Sequence, residues 1–288
     1  MLTGFAAFVG VAFFGGSNAV AIKLGNVELA PFWGASLRFL GAGLLLLFAL
    51  AFLRVSLPRG RGFAGAALFG VLNFGLGYAF VYWALQEVTA GVLQVAVALV
   101  PLLTFVLAVL QRIEPFRMVG LVGSLIAAAG IAWIFAGSVA QVSPIALAAM
   151  IAGTLCFAQA GIVVKRFPSI HPVAENAIAM CIGGGILLAL SMAAGEPWVI
   201  PSATATWMSL VYLTLVGSIG LFVLYVYLLH RWTASAAAYA LLVMPLVTVI
   251  LAAAILGEPM TLSLGVGAIV VVAGVYLGVF VRRHGTDR

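Results

Sequence analysis

Along its 288 residues the chain alternates long apolar runs with short polar connections. A helix needs about 20 apolar residues to cross the hydrocarbon core of a bilayer. Runs of that length lie at 3–22, 32–53, 63–83, 89–110, 116–136, 145–165, 173–194, 205–228, 234–255 and 262–281. Turn chemistry marks several ends: Pro58-Arg59-Gly60, Glu114-Pro115, Ser143-Pro144, Phe167-Pro168, Gly195-Glu196-Pro197 and Glu258-Pro259. No run carries the one-sided polar face of an interfacial helix. The first run starts at Leu2 without a basic leader and is interrupted by Ser17-Asn18. It reads as a retained helix, not a cleaved signal.

The two halves match each other at one offset. Val88-Thr89-Ala90, Pro101, Thr104, Glu114-Pro115, Gly123 and Gly130 are echoed by Trp232-Thr233-Ala234, Pro245, Thr248, Glu258-Pro259, Gly267 and Gly274. Every pair is 144 positions apart, half the chain. The pattern predicts an all-α integral membrane protein with ten transmembrane helices arranged as two five-helix repeats, residues 1–140 and 141–288. Five is odd, so the second repeat enters the membrane from the opposite side. The repeats are therefore expected to be inverted, the arrangement that underlies alternating access.

Composition supports lipid as the solvent. The chain is 65% hydrophobic and 7% charged, with mean hydropathy +1.29, whereas soluble domains carry about 25% charged residues. The net charge of +6 does not imply nucleic acid, because the basic residues sit in short connections. With both termini cytoplasmic, the inner connections hold Arg54, Arg59, Arg61, Arg112, Arg117, Lys165, Arg166, Arg231, Arg282, Arg283 and Arg288. Only Lys23 falls outside, and Arg38 lies within a helix. That bias orients the chain by the positive-inside rule. Glu28, Glu87, Glu196 and Glu258 fall in the outer connections. Cys156 and Cys181 lie in apolar runs and suggest no structural disulfide.

A family resemblance emerges from these features together. Gly15-Gly16-Ser17-Asn18-Ala19-Val20-Ala21-Ile22-Lys23 in the first helix is followed by Arg38-Phe39 in the second. The fourth and ninth helices each carry a central Pro, then a Glu-Pro turn and a Gly-rich helix. Over essentially its whole length the chain resembles the drug/metabolite transporter superfamily, in its ten-helix EamA-type branch. The resemblance implies export or exchange of small polar metabolites and drugs across the bacterial inner membrane, with amino acids, aromatic ones included, among the substrates.

Candidate binding residues follow from position and type. Pro101 and Pro245 sit mid-helix, where a proline frees a backbone carbonyl and kinks the helix. They are expected to flank the central pathway. Gln94, Ala98 and Pro101 share a face of the fourth helix, and Tyr78 and Tyr82 share one of the third, with Asn73 nearby. Ser218, Phe222 and Tyr225 line one face of the eighth helix, and Tyr239 opens the ninth. Asn18 and Gln159 occupy comparable places in the first and sixth. The bland readings are interfacial anchoring for the tyrosines and interhelical hydrogen bonding for the amides. Arg38 lies about 10 Å deep at 1.5 Å per residue. Three readings stay open for it: snorkelling outward, meeting a substrate carboxylate, or capping a helix. Gly274 and Gly278 form a small-xxx-small pattern suited to packing within the protein or at a dimer contact.

Absences narrow the chemistry. No carboxylate lies deep in a run; Glu175 is near the inner edge of the seventh. His171, His230 and His284 fall in inner connections or the tail. Obligatory proton coupling through a buried carboxylate is therefore not expected. The chain lacks a Walker loop and a catalytic triad or zinc motif, so neither a cofactor nor an enzymatic activity is expected. The expected partners are a small-molecule substrate and the bilayer, with the protein a monomer or weak homodimer. A multidrug or nucleoside-like exporter is the alternative, and an integral-membrane enzyme or non-transporting subunit a remoter one.

Overall fold

The computed structural model describes residues 2–25, 27–84, 86–87, 96–134, 143–256 and 262–280, and these are all helix or connection, with no strand among them. The helices are α1 (Leu2–Gly25), α2 (Pro31–Leu53), α3 (Arg61–Phe69, Gly70–Gly77 and Tyr78–Ala84 in unbroken succession), α4 (Val100–Leu110) and α5 (Met118–Ile134). In the second half they are α6 (Pro144–Arg166), α7 (Pro172–Ala193), α8 (Thr204–Thr214, Leu215–Gly220 and Leu221–Arg231), α9 (Ala234–Ala238 and Ala240–Leu256) and α10 (Leu262–Phe280). Each falls on one of the apolar runs. Among the described residues α2, α3, α6, α7 and α8 are long and apolar enough to cross a bilayer, and α4, α5, α9 and α10 contribute shorter apolar helices.

Helix starts obey local chemistry. Pro31, Pro144 and Pro172 open α2, α6 and α7, where a missing N–H costs nothing. Ser143 and Thr233 cap α6 and α9 by accepting from Ala146 N (3.1 Å) and Ala236 N (3.2 Å). At the end of α2, Arg54 adopts the left-handed conformation (φ 52°).

The halves are interleaved. α2 packs along α7, and α5 along α10. α1 packs on α9 and α8, while α6 packs on α4 and α3. Close approach along α5 and α10 depends on glycine. A Cβ on Gly123 would meet the Gly278 backbone nitrogen at 2.6 Å, and one on Gly274 would meet Ala127 N at 2.5 Å. The Gly274/Gly278 pattern thus serves packing within the chain. Gly183 and Gly184 similarly admit Phe74 and Leu40 against α7.

Carboxylates hold the ends of the bundle. Glu196 accepts from the backbone of Phe32 (3.0 Å) and Trp33 (2.8 Å) at the start of α2, beside the stacked rings of Trp33 and Trp198. Glu28 accepts from the backbone of Ser202 and Ala203 just before α8, and Glu87 from the Ser143 hydroxyl. At the opposite end Glu114 accepts from Ser235 N at 3.0 Å, and His230 pairs with Glu175 at 3.1 Å. Negative groups at helix starts offset the positive end of the helix dipole.

The basic connections also gather at this second end. Gly65 lies against Phe167 and Gly62 against Ile170, while Gly4 lies against Trp232. Lys165 is close enough to Glu114 to interact electrostatically.

Candidate functional site

Two stretches of π-helix interrupt long helices at matching places: Gly70–Gly77 in α3 and Leu215–Gly220 in α8. A π turn shifts the hydrogen-bond ladder by one residue and leaves carbonyls available to side chains. In α8 the Leu221 N–H reaches the carbonyls of Val216 and Ser218 and bypasses that of Gly217.

Two side chains take that carbonyl. Asn18 Nδ2, from α1, donates to Gly217 O at 3.0 Å. Arg38 Nη2, from α2, donates to it at 2.8 Å, and Arg38 Nε donates to Ser218 Oγ at 2.7 Å. Arg38 is only 1% exposed. It therefore does not snorkel to an edge; it caps the widened turn of α8 from within the core. Gly217 is required there, because a Cβ would overlap the Asn18 amide.

Aromatic rings wall this polar knot. The guanidinium carbon stands 4.7 Å from the Phe39 ring centroid and 5.7 Å from that of Tyr78. Phe222 and Phe74 lie edge to face at 4.6 Å, and both neighbour Phe39 and Tyr78. Tyr82 sits one turn from Tyr78, with ring centroids 6.2 Å apart. The Tyr78 and Tyr82 hydroxyls lie near the guanidinium, without bonding its Nη1. Asn176, from α7, closes the cluster by donating to Phe222 O at 3.1 Å. Buried polar atoms nearly always have partners. Here Asn18 Oδ1, Arg38 Nη1, Asn73 Nδ2 and Asn176 Oδ1 have none within the protein.

The model of the EamA-like transporter family matches the chain twice, over residues 2–136 and 144–280. The chain belongs to this family. The protein is thus a multi-pass membrane protein of a transporter family. It is 32% identical, over 91% of its length and 88% of the relative's, to an uncharacterized inner membrane transporter, YedA, of Escherichia coli K12. It is 25% identical to an uncharacterized transporter, YoaV, of Bacillus subtilis 168, over 94% of this chain and 95% of that one. A solved crystal structure superposes with a TM-score of 0.80 over 96% of each chain at 18% identity, which shows a shared fold.

In this EamA-like chain the candidate residues separate into two groups. Asn18, Arg38, Tyr78 and Tyr82 converge around Gly217 and Ser218, and Asn73 lies in the matching π stretch of α3. Tyr225 is buried one turn beyond Phe222, where its hydroxyl would stand 3.6 Å from a Cβ on Gly161 of α6. The others make different contacts. Gln159 pairs with Gln111 (2.7 Å), tying α6 to the end of α4. Tyr239 bonds Ser124 Oγ (2.8 Å) and Gly120 O (2.9 Å) on α5. Gln94 lies outside the described residues, as do Glu258 and His284.

The prolines differ as well. Pro245 lies inside α9 as expected. Pro101 does not kink a continuous helix: the chain turns at Ala98-Leu99, and Pro101 occupies the first turn of α4. A proline there displaces no hydrogen bond, so the helix restarts at the position where its ring is tolerated.

Sequence reasoning missed Gly217 and Asn176. Their importance comes from one carbonyl and one amide oriented by packing, and neither residue type signals that in a chain with 33 glycines. A separate cavity of about 520 Å³ opens between α1, α7 and α8, lined by Thr3, Ala7, His171, Val173, Leu224 and Tyr227 among others. None of the candidate residues lines it. Among the described residues no group of His, Cys, Asp and Glu is arranged to hold a metal.

Proposed function

We propose that this protein is a ten-span inner-membrane exporter or exchanger of small amphipathic metabolites, amino acids foremost and aromatic ones among them. Two inverted five-helix repeats would expose a central site alternately to either side. The carrying observation is the fully buried Arg38 joined to Asn18 at the Gly217 carbonyl inside a wall of aromatic rings. A charged side chain in a membrane interior is costly and marks a functional site by default. Rings with a few polar groups suit a planar solute with a polar end.

Four further observations support the mechanism. The paired π stretches allow local widening at equivalent places in both halves. The reciprocal packing of α1 on α9 and of α6 on α4 is what a two-fold related pair of repeats would give. Clustering of the basic connections at one end supports cytoplasmic termini. The described carboxylates are engaged at helix ends, which supports exchange or facilitated export over coupling to protons through a buried acid. The names of the relatives support inner-membrane transport and leave the substrate to experiment.

The test is counterflow into liposomes holding the purified protein, preloaded in turn with phenylalanine, tryptophan, threonine and uridine. Exchange of the aromatic amino acids, lost in Tyr78→Ala with folding retained, is the expected result. Exchange of uridine or a cationic dye, with none of any amino acid, would overturn the substrate assignment.

A further inference from the structure

We infer that Arg38 and Asn18 form a two-sided site for a free zwitterion, Arg38 taking the carboxylate and Asn18 the ammonium. This rests on the amino-acid reading above and adds which groups of the substrate are recognised and by which atoms.

The argument starts from unused hydrogen-bonding capacity. Arg38 spends Nε on Ser218 and Nη2 on Gly217, and its Nη1 has no partner. Asn18 spends Nδ2 on Gly217, and its Oδ1 has no partner. Both side chains are more than nine-tenths buried. One unused donor and one unused acceptor therefore stand beside a single carbonyl. The two nitrogens bound to that carbonyl lie no more than about 6 Å apart, given ordinary hydrogen-bond lengths. The unused Nη1 and Oδ1 each lie one atom beyond those nitrogens, and the site we infer sets between them one headgroup, whose charged groups are separated by one carbon.

Charge gives the polarity of the arrangement. A buried guanidinium without a carboxylate partner favours an anionic ligand. Among the described residues the single ion pair is His230 with Glu175, at the basic end of the bundle. Arg38 thus keeps a positive charge that a carboxylate would neutralise and a simple amine would meet as repulsion. The Asn18 amide oxygen is a neutral acceptor suited to an ammonium N–H. Its place beside Arg38 lets an ammonium bind only when a carboxylate comes with it. Phe39 and Tyr78 stand next to the guanidinium, with Phe222 packed against both rings, and these would contact the substrate's side chain.

Displacement of tritiated phenylalanine from the purified protein in nanodiscs tests this. Competitors are phenylalanine, phenethylamine, phenylalanine methyl ester and 3-phenylpropionate. In the wild type we expect the amine and the ester to compete at least 100-fold more weakly than phenylalanine, and 3-phenylpropionate at least 10-fold more weakly. Asn18→Ala should weaken phenylalanine at least 10-fold and leave 3-phenylpropionate unchanged, a split that a general packing defect does not produce. Arg38→Lys, which keeps the charge but loses the fork, should weaken both carboxylates together. Equal competition by phenethylamine and phenylalanine would overturn the zwitterion site while leaving amino-acid binding intact. Equal loss of both carboxylates in Asn18→Ala would do the same. Absence of any amino-acid binding, with uridine or a cationic dye bound instead, would overturn the broader reading and this inference with it.

Discussion

Glu114, midway along the connection between α4 and α5, grips Ser235 at the start of α9 through both the backbone N–H, at 3.0 Å, and the hydroxyl. The two residues are 121 positions apart and belong to different halves of the chain. Glu114 is 7% exposed and Ser235 2%, so the clasp lies within the protein at its basic end. It joins a negative charge to the positive end of a helix and relieves an orphan N–H at the same time.

Removing that clasp should destabilise the bundle. Hydrogen bonds to a charged group contribute about 1.5–3 kcal/mol each. Glu114→Ala, which removes two of them, is expected to lower stability by about 3 kcal/mol or more, and Glu114→Gln by about half as much, since neutral bonds are roughly half as strong. Thermal melts of the detergent-solubilised variants, followed by tryptophan fluorescence, check the order. Equal melting temperatures for all three proteins would mean that the contact contributes nothing.

Acid should act on a different carboxylate. Hydrogen bonds from Ser202 and Thr206 and from the Ala203 backbone hold Glu28 at about 2, below its ordinary 4.5. A lowered folded-state pKa means that the ionised form is favoured by folding. The stabilisation is fully present above about pH 4.5 and is lost as pH falls from there toward 2. Wild type should therefore be more stable than Glu28→Gln at neutral pH, and the gap should close across that acidic window. Denaturation curves for both proteins at pH 7, 4 and 3 measure it; a gap that widens on acidification would contradict the assignment.

Tyr239 separates structure from binding. Its hydroxyl joins Ser124 and Gly120 on α5 and crowds Gly278 on α10 so closely that a Cβ there would overlap the ring. Tyr239→Phe should cost about 1 kcal/mol, a typical net hydrogen-bond contribution, because Ser124 keeps its own bond to Gly120. Substrate affinity in nanodiscs should stay unchanged. A large loss of affinity without loss of stability would return Tyr239 to the binding site.

Most of the architecture was legible because membrane helices declare themselves by length and apolarity. All the apolar runs hold helix in the described residues, and the end-capping prolines and serines sit where local chemistry places them. The π stretches were not legible. A shift of the ladder by one residue depends on which neighbours press on Gly70–Gly77 and Leu215–Gly220, and glycines elsewhere in the chain support ordinary helix. Pro101 illustrates the same limit: its rigidity is written in the residue, but whether a helix bends through it or restarts at it depends on the turn at Ala98-Leu99.

The sequence by itself determined that lipid is the solvent, where the helices run, and that the chain is a doubled unit of the EamA-like family. Those properties are sums over many residues and survive without knowledge of contacts. The tertiary structure decided what the few polar side chains do. Asn18, Arg38, Gln159 and Tyr239 look alike as isolated polar residues in apolar helices. Packing sent Gln159 to Gln111 and Tyr239 to Ser124, and brought Asn18 and Arg38 to one carbonyl 199 and 179 residues away. A buried polar atom takes whichever partner the fold brings within hydrogen-bond reach, and that partner is chosen by distance in space.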